Sequence, residues 1–416
     1  MCLRFGLGSA CVVSMALLLA GCGSEFTPDS GAGDGHCNGP GALSDDFEGS
    51  ELNDAFQPRI YTTDLTIEAS GGMLVFTPPD GGGSGSFDAR YAIDLRNAFA
   101  VVEVPEPSGG LEGKTIAMTL DQGNAHSVSM SVNEDTSNPG TGLLHFDVRN
   151  DASNTKNSTA YDPELHRWWR VGERDGVLSF DASPDGKSWT TYQEVPAPPF
   201  VEAGYLNLEM NDGGNVTPIE PVRFDNLNPQ GGSFCGVDRL QEPFDADLGE
   251  RWALSEGTDC TSQVTGGAWE ATVPTGGTGQ CTIATRPAYD IRDRELTVAF
   301  GSLPTSDSGT GVSLTLRSGD DDKLTLQHSQ GKLVATTNIG SVTSNGSVDL
   351  AGGPSWWRIR QTGARVEFEV SADGKTFDSV HSVIVDSIPP RFVVSLGLWV
   401  NAGQSDDTKL VVDSLN

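Results

Sequence analysis

The chain has 416 residues, with 51 glycines, 23 prolines and a formal charge of −31 from 26 basic and 57 acidic side chains. That composition excludes a coiled coil or helical bundle, whose chains are rich in Ala, Glu, Lys, Leu and Arg at helical spacing. The charge excludes a nucleic-acid partner, which needs clustered Lys and Arg to displace phosphate counterions, and excludes electrostatic docking on anionic lipid.

The first element is an address. Arg4 precedes an apolar run from Leu7 to Ala20, shorter than a comfortable membrane span and laid out like a secretory signal. The run ends Leu18-Leu19-Ala20-Gly21-Cys22, which resembles the lipobox of bacterial lipoproteins. The resemblance implies cleavage after residue 21, lipidation of Cys22 and membrane attachment through the acyl chains, since each buried CH₂ adds about 0.8 kcal/mol of membrane affinity. Gly23, where Asp would favour inner-membrane retention, implies the outer membrane of a cell envelope. Residues 22–40 are too polar and Gly-rich to bury a core and are expected to form a flexible tether.

The rest of the chain is written twice. Trp168-Trp169-Arg170-Val171 recurs 188 residues later as Trp356-Trp357-Arg358-Ile359. At the same offset Phe180, Ser183 and Asp185-Gly186-Lys187 match Phe368, Ser371 and Asp373-Gly374-Lys375. Asp94-Leu95-Arg96 has its counterpart in Asp290-Ile291-Arg292. Two domains are expected, 41–228 and 238–416, joined by a linker over 229–237. Within each copy the apolar period is two, as in Val366-Glu367-Phe368-Glu369-Val370, and Asp-Gly pairs stand where tight hairpin turns belong. The pattern predicts an all-β protein of two tandem antiparallel sandwiches.

Three features together resemble the concanavalin A-like lectin/glucanase superfamily, and within it the laminin-G-like jelly rolls of bacterial surface proteins. These are the acidic-aromatic opening Asp45-Asp46-Phe47-Glu48, the Gly-Gly pair at 71–72 and 266–267, and the Trp-Trp-Arg and Phe-x-x-Ser-x-Asp-Gly-Lys segments. The resemblance implies jelly-roll folds and a glycan-related task, with members that bind glycans, hydrolyse them, bind proteins or act as spacers.

Glycoside hydrolysis needs two carboxyls about 5–10 Å apart. The superfamily's glucanases array them as Glu-x-Asp on one strand, and no such array stands here. Glu367 and Glu369 share a face, but their counterparts are Ser179 and Asp181, and the expected role is a cross-strand pairing with Arg358 and Arg360. No catalytic residue is assigned. The six histidines form no zinc-ligand spacing and no Gly-x-Ser-x-Gly elbow occurs. Asp320-Asp321-Asp322 and Asp406-Asp407 are either solvated loop acid or oxygen ligands for Ca²⁺, the one ion the resemblance suggests. Trp169 and Trp357 are expected in the core with Val171 and Ile359. On the other face Trp168 with Arg170, and Trp356 with Arg358, form either an aromatic plate and guanidinium donor for a sugar or a Trp–Arg stack covering the sheet.

Removing Cys2 and Cys11 with the signal, and Cys22 by lipidation, leaves Cys37, Cys235, Cys260 and Cys281, an even set in an exported chain. Three connectivities are open. The ends of a jelly roll meet, so the resemblance implies Cys37–Cys235 across the first domain and a local Cys260–Cys281 pair. The expectation is therefore a membrane-anchored envelope lipoprotein, not an enzyme, that binds a glycan or other surface polymer; the alternatives are a polysaccharide hydrolase and a spacer.

Overall fold

The computed structural model describes residues 38–106, 110–123, 125–213, 220–304, 309–350 and 355–416. The signal, Cys22, Cys37 and the tether up to residue 37 lie outside the described residues. Among those described, no helix is long and apolar enough to cross a membrane.

The first repeat supplies β1 (Phe56–Ile60), β2 (Thr66–Ala69), β3 (Leu74–Thr77), β4 (Gly83–Ala89), β5 (Ala98–Glu103), β6 (Lys114–Asp121), β7 (His126–Glu134), β8 (Gly142–Asn150), β9 (Ser153–Tyr161), β10 (Trp168–Arg174), β11 (Val177–Ser183), β12 (Thr190–Pro196), β13 (Tyr205–Asp212) and β14 (Val222–Phe224). The second supplies β15 (Trp252–Glu256), β16 (Thr261–Thr265), β17 (Ala268–Val273), β18 (Gly279–Thr285), β19 (Glu295–Ser302), β20 (Thr310–Ser318), β21 (Asp322–Ser329), β22 (Lys332–Ile339), β23 (Val342–Asp349), β24 (Trp356–Thr362), β25 (Arg365–Ser371), β26 (Asp378–Ile384), β27 (Val393–Val400) and β28 (Thr408–Leu415).

Each repeat lays a seven-stranded antiparallel sheet over a second layer, which is a jelly-roll sandwich. The large sheets run β1-β4-β13-β6-β7-β8-β9 and β15-β18-β27-β20-β21-β22-β23. In the second sandwich the opposing layer is one sheet, β16-β17-β28-β19-β24-β25-β26. In the first it divides into β12-β11-β10-β5 and β14-β3-β2. The division follows from the shortness of β14, whose side of the layer meets β5 beyond its own end, at the Glu103–Asp225 bridge and through hydrogen bonds of Asn226 and Asn228.

Alternation puts one face of every strand inside. Val128, Met130 and Val132 of β7 face Leu144, Phe146 and Val148 of β8 in the first core. Leu314 and Leu316 of β20 meet Leu324 and Leu326 of β21 in the second. Trp169 and Trp357 are fully buried at the centres of the two cores. The Trp169 indole N–H donates to the His166 carbonyl at 2.9 Å, whereas that of Trp357 has no acceptor. The cores change over between Phe234 and Val237.

The sandwiches touch directly. Ala92 N–H donates to the Arg286 carbonyl at 3.1 Å, Tyr91 meets Phe234 edge-on at 5.6 Å, and Arg391 lies over Phe234 while pairing with Asp54. Ala288 of the second repeat is buried in the first core. Cys260 and Cys281 form a disulfide, Cα to Cα 5.7 Å. Cys235 is disulfide-bonded as well, and Cys37, its expected partner, is outside the described residues.

Candidate functional site

The repeated Trp-Trp-Arg segments are built as supports. β10 pairs with β11 so that Arg170 stands opposite Asp181, at 2.8 Å, with side chains 12% and 1% exposed. That guanidinium also lies over the Phe99 and Trp189 rings, at 4.5 and 4.3 Å. In the second sandwich Arg358 pairs with Glu369 at 2.8 Å and Glu295 at 3.3 Å, and lies 3.7 Å over Phe377. Each guanidinium is thus held by carboxylate and ring.

The outer tryptophans serve the neighbouring turn. A Cβ on Gly186 would stand 3.0 Å from the Trp168 indole, and one on Gly374 would stand 2.8 Å from that of Trp356. Both glycines have φ near +70°, which L side chains rarely adopt. Below them Asp185 accepts from Ser188 and Lys187 N–H and from the Ser183 hydroxyl, and these bonds hold its carboxyl at about 2. Asp373 repeats the pattern and is likewise lowered. Trp168 and Arg170, and Trp356 and Arg358, the residues expected to offer a plate and a donor to a sugar, are thus brought together beside these turns, half-buried, with the turn glycines against the indoles and carboxylates paired to the guanidinium groups.

Glu367 and Glu369 also have partners. Arg360 reaches Glu367 at 2.7 Å and Glu369 at 3.5 Å, so the pair is one ion network with Arg358. Asp322 accepts the Gly340 N–H at 2.7 Å, and Asp407 accepts from Thr275 N–H and hydroxyl at 2.8 and 2.9 Å. Among the described residues no group of three His, Cys, Asp or Glu side chains is gathered as a metal site requires.

A different set of polar groups converges on the outer face of the large sheet in the first sandwich. Cross-strand register aligns Gln57, Asp88, Asn207, Thr119, Ser129 and Asp147 in one row. The adjacent row is Arg59, Ser86, Glu209, Ala117, Ser131 and His145. Arg59 pairs with Asp88 at 2.8 Å. Asn207 donates to Asp121 at 2.7 Å, while its Oδ1, on a residue 7% exposed, has no partner. Burial, reinforced by the Asp88 charge and opposed by hydrogen bonds, raises the carboxyls of Asp121 and Glu209 above their ordinary range. Tyr61, 65% exposed, rims this face and shares a 3.1 Å hydrogen bond with Ser86.

The second sandwich shows that none of this is needed by the fold. Trp252 pairs with Thr285 as Phe56 pairs with Ala89, which aligns the two sheets. Asp88 then corresponds to Ala284, Glu209 to Gly397, Asp121 to Arg317, Arg59 to Ser255 and Tyr61 to Gly257. The acid-and-aromatic group belongs to one copy alone. Sequence reasoning missed it because its members come from β1, β4, β6 and β13, far apart along the chain. The signal that would have found them is the loss of acid at the matched positions of the repeat.

No family model matches the chain, and no curated protein matches it. Solved structures do. A Bacillus licheniformis β-glucanase is 12% identical over 42% of this chain and 95% of its own, with a TM-score of 0.34. A legume lectin-like domain from Entamoeba histolytica is 13% identical over 40% and 88%, TM-score 0.31. A laminarinase from Flavobacterium sp. UMI-01 is 12% identical over 42% and 97%, TM-score 0.33.

Proposed function

We propose that this protein is a lipid-anchored envelope protein of laminin-G-like construction that binds a glycan on the outer face of its first sandwich without cleaving it. The observation that carries the reading is the group Tyr61, Asp88, Asn207 and Glu209, placed on one sheet face and absent from the matched face of the repeat. Carboxylates accept hydrogen bonds from vicinal hydroxyls, and an exposed tyrosine ring offers a stacking surface. An acidic face in a chain of charge −31 suits neutral rather than acidic saccharides. Attachment to the membrane rests on Cys22 and its lipobox-like setting.

One observation favours hydrolysis as a second reading. Glu209 has the raised carboxyl a general acid needs, and Asp88 lies diagonally across the ladder, a relation that sets Cβ atoms about 7–8 Å apart. Hydrolases hold their carboxyls in that range.

A glycan array probed with the full chain, with and without Ca²⁺, separates the readings. Binding that is lost in Tyr61→Ala and weakened in Glu209→Gln, with no release of reducing ends, supports the lectin reading. Reducing ends that vanish in Glu209→Gln establish the hydrolase. Silence in both leaves the spacer. Acyl labelling that persists in Cys22→Ala refutes the anchor.

A further inference from the structure

The two sandwiches close one edge differently. In the second, β26 packs beside the edge strand β23: His381 hydrogen-bonds Ser344 at 2.8 Å and lies against Gly346, where a Cβ would stand 2.7 Å from the ring. Register places Gln193 of β12 where His381 stands. Gln193 is buried and its Oε1 has no partner. Between β12 and the root of β9 an open depression of about 290 Å³ remains, lined by Thr155, Val195 and Pro196 among others. The edge strand β9 is left uncovered, and its residues 153–158 are all exposed.

An uncovered edge offers unpaired N–H and C=O groups to another chain, and proteins blunt such edges with proline, bulges, shortness or charge. The other edges here are blunted. β1 carries Pro58, β12 ends in Pro196 after a register shift, β26 is shifted too, and β2, β15 and β16 have five residues or fewer. β9 runs nine residues in unbroken register with β8, without proline and with Lys156 as its only charge. In a chain with 57 acidic residues it has none.

We infer that β9 is a self-pairing edge, at which two copies of this chain join antiparallel about a two-fold axis through Asn157. The phase of the strand fits. Ser158 N–H donates to the side chain of Asn157 at 2.9 Å, so it points away from β8, and on pairing the partner's Lys156 carbonyl takes the place of that side-chain oxygen; alternation turns Asn154, Lys156 and Ala160 outward with it. About that axis Lys156 meets Ser158 and Asn154 meets Ala160, so every outward residue finds an outward partner. Thr155 faces Thr159, Asn157 faces its own copy, and the two lysines are offset from each other. No pair sets like charges opposite, which a strongly acidic molecule can achieve only at a neutral strip. A symmetric contact of this kind closes after two copies. It also joins the large sheets edge to edge, bringing two Glu209-bearing faces onto one surface, so that a polymeric ligand is held bivalently.

The test uses the full chain purified in detergent. Under mild oxidation Asn157→Cys should cross-link to a dimer that Lys187→Cys, on an exposed turn of the same sandwich, does not form. In sedimentation velocity the unaltered chain should self-associate. Asn157→Asp sets two carboxylates face to face and should weaken association about fivefold at 50 mM NaCl. High salt should restore it. A monomeric unaltered chain, equal cross-linking from both cysteines, or a dimer indifferent to Asn157→Asp overturns the inference.

Discussion

Arg170 and Asp181 stand directly opposite each other across the β10–β11 ladder, 2.8 Å apart and out of water. Removing one member of such a pair strands the other charge, which typically costs about 3–5 kcal/mol. Arg170→Ala should therefore lower stability by about that amount in urea unfolding. Arg170→Lys should recover little of it, because an ammonium cannot lie flat over the Phe99 and Trp189 rings. Full recovery by lysine would show that charge alone matters there.

Gly186 combines a left-handed backbone with direct contact against Trp168. Alanine adds strain on both counts, so Gly186→Ala should destabilise by about 1–3 kcal/mol. Gly374→Ala should behave alike. At Gly176, also left-handed but with open space around it, alanine should cost only the backbone share, about 1 kcal/mol. Equal losses at 176 and 186 would remove the indole from the explanation.

The two core tryptophans offer a matched comparison. Trp169 donates to the His166 carbonyl and Trp357 donates to nothing, though both are fully buried. Replacement by phenylalanine should cost about 1 kcal/mol more at 169 than at 357, the net worth of one hydrogen bond plus the stranded carbonyl. Chemical denaturation of the two variants measures the difference.

His166 accepts the Asp162 N–H through Nδ1, so its Nε2 carries the proton and donates to the Tyr192 hydroxyl at 2.7 Å. Burial lowers the affinity of this ring for a second proton, outweighing the nearby Asp162 charge, and burial lowers His328 as well. Unfolding frees both rings to take protons at their ordinary value near 6.5. The stability they confer is thus whole above about pH 6.5 and declines as pH falls toward the lower native values, by at most about 1.4 kcal/mol per pH unit for each ring. His166→Gln should reduce this dependence between pH 7 and 5, and an unchanged slope would contradict it.

The disulfide Cys260–Cys281 closes a loop of 21 residues. A loop of that length restricts the unfolded chain by about 3 kcal/mol, and the double Cys→Ala variant should lose about that much. A melting curve that does not move would mean that packing alone holds β16 to β18.

Much of the scaffold could be read in advance because it is local. The alternation in β25, the Asp-Gly turns and the burial of Trp169 and Trp357 follow from spacing, and register then sets Arg358 and Arg360 against Glu369 and Glu367. What could not be read depends on which strands become neighbours. Asp88 and Asn207 are adjacent only because β4 pairs with β13, and nothing near either residue announces it. Trp189 reaches Arg170 across a register shift between Phe180 and Asp181 that no periodicity marks. The uncovered state of β9 likewise depends on where β12 of the opposite layer lies relative to it, which no local pattern marks.

The contacts of Ala92, Tyr91 and Asp54 with Arg286, Phe234 and Arg391 span the junction between the repeats. In hydrodynamic terms the two sandwiches are one rotor. Backbone amides in both should relax with a single correlation time.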